Sequence, residues 1–370
     1  MMQELFNRAA TCLKEQLPFV LYRKPNEVEL TGVFQNNDEV HKIKDFTEKG
    51  FVFAPFNLKS DAILLKMDSI QKESNSIVDS VVAKEMSSKP LDAVEKSRYL
   101  KLIGNALDKI NDGEINKVVL SRKIEVDYKD NHSETFKRLL KEYPKAFCYF
   151  WYHPKIGTWM GATPEILVKT NGSQFTTMSL AGTQNSAGLE KPQWSKKEIN
   201  EQQLVTDYIV DALTEKVVSI RALERESIKA GMLWHLRTEL KGTFSPNQFG
   251  NVLKALHPTP AVCGSPLQKA KEFILDNELY DRSFYTGFLG ELNVKSELPR
   301  NRNRRNQENS AYRSVTNTSE LFVNLRCMQL HKSKVSIYVG GGITSDSIPE
   351  SEWHETSLKS NTMLRVLGSN

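Results

Sequence analysis

"INKVVLSRK", residues 115–123, sets the reading of everything around it. Val118, Val119 and Leu120 stand in a row with Lys117 just ahead of them, a pattern that predicts a strand beginning near the lysine. Upstream, Ala93, Tyr99, Leu100, Leu102, Ile103, Leu107 and Ile110 recur every three or four residues and predict a helix running into that strand. Downstream, strand-like segments follow near 146–152, 165–169 and 174–179, then a long helix over about 196–219 and a strand at "LWHLRTELKGTF" (233–244). Helices near 248–256 and 266–276 precede strands around 283–294, 320–330 and 334–339, and a last helix spans about 349–367. Strands adjoining one another in runs, without a regular strand-helix beat, predict an α+β architecture with mainly antiparallel sheets.

The chain has 370 residues, 39% hydrophobic and 26% charged, a globular profile long enough for one large or two medium domains. Residues 1–70 alternate short apolar runs with polar turns, and 70–93 is polar and rich in Ser and Lys. We expect residues 1–90 to form a strand-rich section integrated into the same fold as a functional region over 91–370. Residues 294–319 read as an inserted polar loop carrying "RNRNRR" at 300–305. With aromatics nearly absent beside it, a solvated hairpin tip is a better reading of that loop than a nucleic-acid contact. The net charge of +5 is too small and too dispersed to imply nucleic acid, and suits a small anionic substrate. Cys12, Cys148, Cys263 and Cys327 lie far apart with no CxxC pair, which argues against a zinc site or a disulfide framework. No stretch approaches the roughly 18 apolar residues of a membrane span. "MMQELFNRAATCLKEQLPF" has charges scattered through it and no apolar core of signal-peptide type, so a cytoplasmic protein is expected.

Two helices carry charge on the face meant for burial. In "SKKEINEQQLVTDYIVDALTEKVV", Val205, Tyr208, Ile209, Ala212 and Leu213 form an apolar stripe, and Glu198 and Glu201 project onto it one and two turns earlier. In the last helix Glu352, Glu355, Lys359, Met363 and Val366 fall within a sector of about 80°. An ordinary surface ion pair would account for Glu355 and Lys359 alone. Acids entering a buried face, however, need a partner or a cation. Two carboxylate pairs of ExxE spacing could meet around one ion, and ligands that are all oxygen point to Mg2+.

Three further stretches carry candidates. "KVSIYVGGGITSDSIPESEW" runs a strand into Gly340, Gly341 and Gly342 without P-loop or Rossmann spacing, so it is either a turn or a backbone that approaches an anion closely. "LFVNLRCMQ" places Arg326 inside a predicted strand, facing solvent or gripping a carboxylate. Glu165 follows a proline in "GATPEIL", and His235 stands among apolar residues in "LWHL", where a hydrogen-bonded structural histidine is the commoner outcome. No Ser/His/Asp or Cys/His constellation offers itself. The residues alone therefore yield a cation site, basic groups for an anionic ligand and acids for proton transfer.

An ordered series of blocks goes further: "KVVLSRK", "GATPEIL", "MSLAGTQ", "NEQQLV", "LWHL", "LHPTPAVCG", "LFVNLRC", "YVGGGI" and "SEWHETSLKSNTML". Over roughly residues 91–367 the sequence resembles the chorismate-utilising enzymes, and most closely the isochorismate synthases among them. The resemblance implies a chorismate-binding fold of two large, mainly antiparallel sheets packed as a sandwich with helices outside. It implies Lys117 as the general base that activates water for attack at C2 of chorismate, and Glu165 as the acid that protonates the departing C4 hydroxyl. Glu201 and Glu355 are implied as Mg2+ ligands, with Glu198 and Glu352 as supporting carboxylates. Arg326 and Lys359 are implied for carboxylate binding, Gly340 and Gly182 for the pocket backbone, and His235 and Thr259 for pocket positions. The substrate implied is chorismate, handled by a monomer with no obligatory protein partner, membrane or nucleic acid. Ammonia-using relatives typically have an uncharged residue in place of Lys117, and those with a lysine nucleophile carry it where this chain has Ala181. Both features favour water. Salicylate synthases share Lys117 and add a pyruvate elimination.

Overall fold

The computed structural model describes residues 2–74, 93–185, 190–230, 233–298 and 314–367. Helix α1 (Met2–Glu15) precedes β1 (Phe19–Arg23), β2 (Glu29–Phe34), β3 (His41–Lys42), β4 (Gly50–Ala54), β5 (Ile63–Leu65) and β6 (Ser69–Ser74). Helix α2 (Ala93–Asn111) leads into β7 (Lys117–Asp127). Helix α3 (His132–Glu142) leads into β8 (Phe147–His153), β9 (Gly157–Thr163), β10 (Ile166–Asn171) and β11 (Gln174–Asn185). Then come α4 (Lys196–Thr214), β12 (Ser219–Ala230), β13 (Leu233–Thr243), α5 (Phe249–Leu256), β14 (Gly264–Ser265) and α6 (Leu267–Asn277). Strands β15 (Phe288–Leu298), β16 (Ser314–Val323), β17 (Cys327–Leu330) and β18 (Lys334–Ile343) precede the last helix, α7 (Pro349–Leu364).

The described strands form two nine-stranded sheets, ordered β14-β7-β18-β17-β9-β8-β1-β2-β6 and β12-β13-β11-β10-β16-β15-β4-β5-β3. Each pairing among the described residues is antiparallel, as the runs of adjoining strands predict. Strand alternation explains the layers. In β1, Val20 and Tyr22 point into a core between the sheets while Phe19 and Leu21 join a second core under α1 and α3. In β4, Phe51 and Phe53 enter the inter-sheet core and Val52 and Ala54 meet α4 and α5 on the far side of the second sheet. Both faces are covered, so these strands read as continuous apolar runs. The first 74 residues contribute strands to both sheets. No described helix is long and apolar enough to cross a membrane.

Several expectations need correction. The segment 320–330 is two strands in different sheets, because the chain leaves the second sheet at Val323 and enters the first at Cys327. Arg326 lies on that crossing with φ +48°, so it is not a strand residue. Helix α4 ends at Thr214, five residues short of the end of the expected range 196–219, and β12 begins at Ser219. Helices α1 and α3 and strands β9 and β12 were not anticipated. Residues 294–298 and 314–319 pair within the β15–β16 hairpin, where Leu298 faces Ser314. The basic run 300–305 lies outside the described residues.

Candidate active site

Strand β7 presents alternate side chains to different neighbours. Val118 and Leu120 pack with Tyr99, Ile103, Phe273, Ile274 and Trp353 from α2, α6 and α7, which leaves Lys117 and Val119 on the opposite face. That face borders a cleft whose wall includes Val119, Glu165, Leu180 to Gly182, His235, Val262, Thr286, Arg326 and Gly340 to Gly342. The first turns of α4 contribute Ser195, Lys197, Glu198 and Glu201, and α7 contributes Glu355 and Lys359. A more open hollow between the end of α4 and α5 has only exposed charges, Glu215, Lys216 and Lys254, and no buried acid or base.

Lys117 is 1% exposed, and its Nζ donates to Glu201 Oε1 at 2.7 Å. Burial pushes the Glu201 carboxyl up, but the Lys117 charge and hydrogen bond, with Lys359 and Lys197 farther off, outweigh it and hold Glu201 below the usual carboxylate range. The pair sits against bare backbone: a Cβ on Gly342 would lie 2.7 Å from Glu201 Oε1 and 3.0 Å from Lys117 Cε. The third glycine of the "GGG" run is thus required by close approach.

Glu165 is 4% exposed, and burial pushes its carboxyl up to about 8 against the opposing charges of Lys117 and Arg326. The upward shift is the one expected of an acid, and it comes from burial, since the charges bordering the carboxyl are basic. Arg326 Nη2 reaches His235 Nε2 at 3.4 Å, and His235 Nδ1 lies 2.8 Å from the Gly182 carbonyl. Only a protonated Nδ1 can donate to that carbonyl, so Nε2 accepts from the guanidinium. Burial, and then the Arg326 charge, lower the imidazole to about 3, so His235 is a neutral strut for Arg326. Gly182 adopts φ +71° in an irregular part of the β11–β13 pairing.

Of the four glutamates, Glu198, Glu201 and Glu355 line the cleft, and Glu352, 3% exposed, stands just behind it. Glu198 closes a capping box on α4, its Oε2 accepting from the Ser195 N–H at 2.7 Å. Glu355 Oε1 accepts from Lys359 Nζ at 2.6 Å, and the same ammonium donates to the Gly340 carbonyl at 3.0 Å. The surface-type i,i+4 pair is therefore present, but on the cleft wall. Among the described residues no three His, Cys, Asp or Glu side chains converge as a preformed metal centre. The donor set nevertheless fits a hard dication: it is all carboxylate, and the described side chains donate to only one oxygen each of Glu201, Glu352 and Glu355. Thr259 is buried with its Oγ1 unpartnered among the described residues and is not part of the wall.

Two features escaped the sequence reading. Lys197 lines the cleft, and nothing but its place beside Glu198 marks it in the sequence. Arg282, 2% exposed, grips Glu278 through both carboxylate oxygens and donates to the carbonyls of Val119 and Val262. Glu278 Oε1 in turn accepts from the N–H and hydroxyl of Ser121. This knot fastens β7 to two loops of the cleft wall. Its one sequence signal is the i,i+4 spacing of Glu278 and Arg282. Arg282→Met leaves a buried carboxylate uncompensated and is expected to cost about 3–5 kcal/mol in denaturant unfolding.

A buried acid, a buried lysine and an arginine around one cleft, framed by two antiparallel sheets, define an acid–base enzyme for an anionic ligand. The sequence profile of the chorismate binding enzymes matches residues 54–297 and 312–368, and the chain belongs to that family. Isochorismate synthase DhbC of Bacillus subtilis (strain 168) is 29% identical over 294 residues, covering 74% of this chain and 68% of the relative. Isochorismate synthase EntC of Escherichia coli (strain K12) is 26% identical over 332 residues, covering 85% and 80%. The solved structure of MenF, the menaquinone-specific isochorismate synthase from Escherichia coli, shares the fold with a TM-score of 0.73 at 20% identity, over 95% of this chain and 89% of that one.

Proposed function

We propose that this protein is an isochorismate synthase, a hydroxymutase that interconverts chorismate and isochorismate by adding water at C2 and losing the C4 hydroxyl. The observation that carries the reading is a 1%-exposed lysine bonded to Glu201 of the cleft wall, with a carboxyl pushed up to about 8 on the same wall. The isochorismate synthases among its relatives support it. One water enters and one leaves, so no electron carrier is needed.

Lys117, in its neutral form, takes a proton from the attacking water. Glu165, neutral below about pH 8, delivers one to the departing hydroxyl. Arg326, braced by His235, and Lys359 bind substrate carboxylates, while the Gly182 and Gly340 segments let backbone approach the ligand closely. Glu201 and Glu355 would hold Mg2+, supported by Glu198 and Glu352. The ion supplies positive charge for a substrate carboxylate. Glu201→Gln is expected to raise the Mg2+ concentration for half-maximal rate at least about tenfold, read by titrating Mg2+ against initial rate. The reading takes the protein as a monomer acting without an obligatory partner protein. The four cysteines are buried and unpaired, consistent with a cytoplasmic setting.

Incubation with chorismate and Mg2+ followed by product separation tests the reading. Isochorismate without pyruvate is expected. Salicylate with pyruvate would replace it with salicylate synthase chemistry, and turnover only with ammonia would replace both.

A further inference from the structure

Lys197, in the first turn of α4, has no place in the scheme above. Its Nζ donates to Glu352 Oε1 at 2.9 Å and reaches Ser347 Oγ at 3.3 Å, bridging α4 to the start of α7. It therefore touches Glu352 and lines the same cleft as Glu198, Glu201 and Glu355. The other two lysines are committed elsewhere. Lys117 is enclosed against Glu201, and Lys359 is shared between Glu355 and the Gly340 carbonyl. Lys197 is the more exposed of the three, at 31% of its side chain against 1% and 17%.

Each ammonium set against these carboxylates offsets one of their negative charges. Removing Lys197 would leave the divalent cation a site one charge more negative and, once the cation is bound, would leave the anionic substrate a site one charge less positive.

We propose that Lys197 divides affinity between the two ligands of this cleft: its ammonium competes with the divalent cation for the carboxylates and favours the anionic substrate. The inference rests on the Mg2+ reading of Glu201 and Glu355. It makes Lys197 a residue that tunes binding, with no contact to the reacting atoms.

Isothermal titration of the metal-free protein with MgCl2, alongside the KM for chorismate at saturating Mg2+, tests it. In Lys197→Met and Lys197→Gln the Mg2+ Kd is expected to fall about tenfold or more while the KM rises severalfold. Lys197→Arg, which keeps the charge, is expected to restore both toward the parent values. A purely structural tie between α4 and α7 would weaken both ligands together. That result, or an unchanged Mg2+ Kd in folded variants with the parental Tm, overturns the proposal. A parent protein that takes up no Mg2+ in the calorimeter overturns the metal reading itself, and is told apart by failing before any variant is compared.

Discussion

Lys117→Ala is expected to lower isochorismate formation by about 10²- to 10⁴-fold, the range a positioned base supplies. Chorismate binding in the presence of Mg2+ should survive, because Arg326 and Lys359, which carry the carboxylate contacts in this scheme, do not depend on Lys117 for their hydrogen bonds. The two quantities separate cleanly: initial rate by product chromatography, affinity by calorimetry. Loss of affinity in step with rate would make Lys117 a structural counter-ion of Glu201. An unchanged rate would remove it from the chemistry. Lys117→Gln adds a control, since it keeps a donor for Glu201 but cannot accept a proton.

Glu165→Gln should cost a comparable factor of about 10²–10⁴ and also change the shape of the pH profile. The parent carboxyl is protonated, and competent as an acid, below about 8, so the rate should decline as pH rises through about 8. The variant has no such proton to lose and should lack that limb. The same group links pH to stability. Its folded pKa is raised, so its contribution is fully present below the unfolded value near 4.5 and is lost as pH rises to about 8. The unfolding midpoint of the substrate-free parent should therefore drift downward with pH over that window relative to Glu165→Gln. Equal slopes in the two proteins would contradict the shift.

The class of fold was legible because adjoining apolar runs such as β1 and β4 leave no room for crossover helices. Strand β12 was not legible. It pairs only with β13, is exposed at almost every described position and carries Arg221, Glu224, Arg225 and Glu226, so no buried face imposes an alternation. Helix α3 did leave a signal, with Asn131 capping it and Phe136, Leu139 and Leu140 buried at helical spacing, as did α1 with Leu5, Phe6, Ala9 and Cys12. The glutamates of the site were legible from helical period alone, since acids on an apolar stripe are costly without a partner. Their partners were not. Lys117 and Glu201 are 84 residues apart, and Arg326 and His235 are 91 apart, distances over which only the folded topology decides contact. The split of 320–330 was hidden because both halves are apolar, and the residue that marks the break, Arg326, also marks the site.

The position of β7 in its sheet has a consequence for synthesis on the ribosome. Its two neighbours are the two-residue β14, which meets only its first residues, and β18, so the β18 edge of the strand that begins with Lys117 stays unpaired until the chain has been made to about residue 343. At about 5–20 residues per second, the roughly 220 intervening residues take on the order of ten to forty seconds to appear. Throughout that interval Val118, Val119 and Leu120 belong to an open edge able to recruit foreign strands. Nascent chains stalled before β18 should therefore be protease-sensitive at β7 and dependent on holding chaperones, and the cleft should be assembled only once β18 and α7 have emerged.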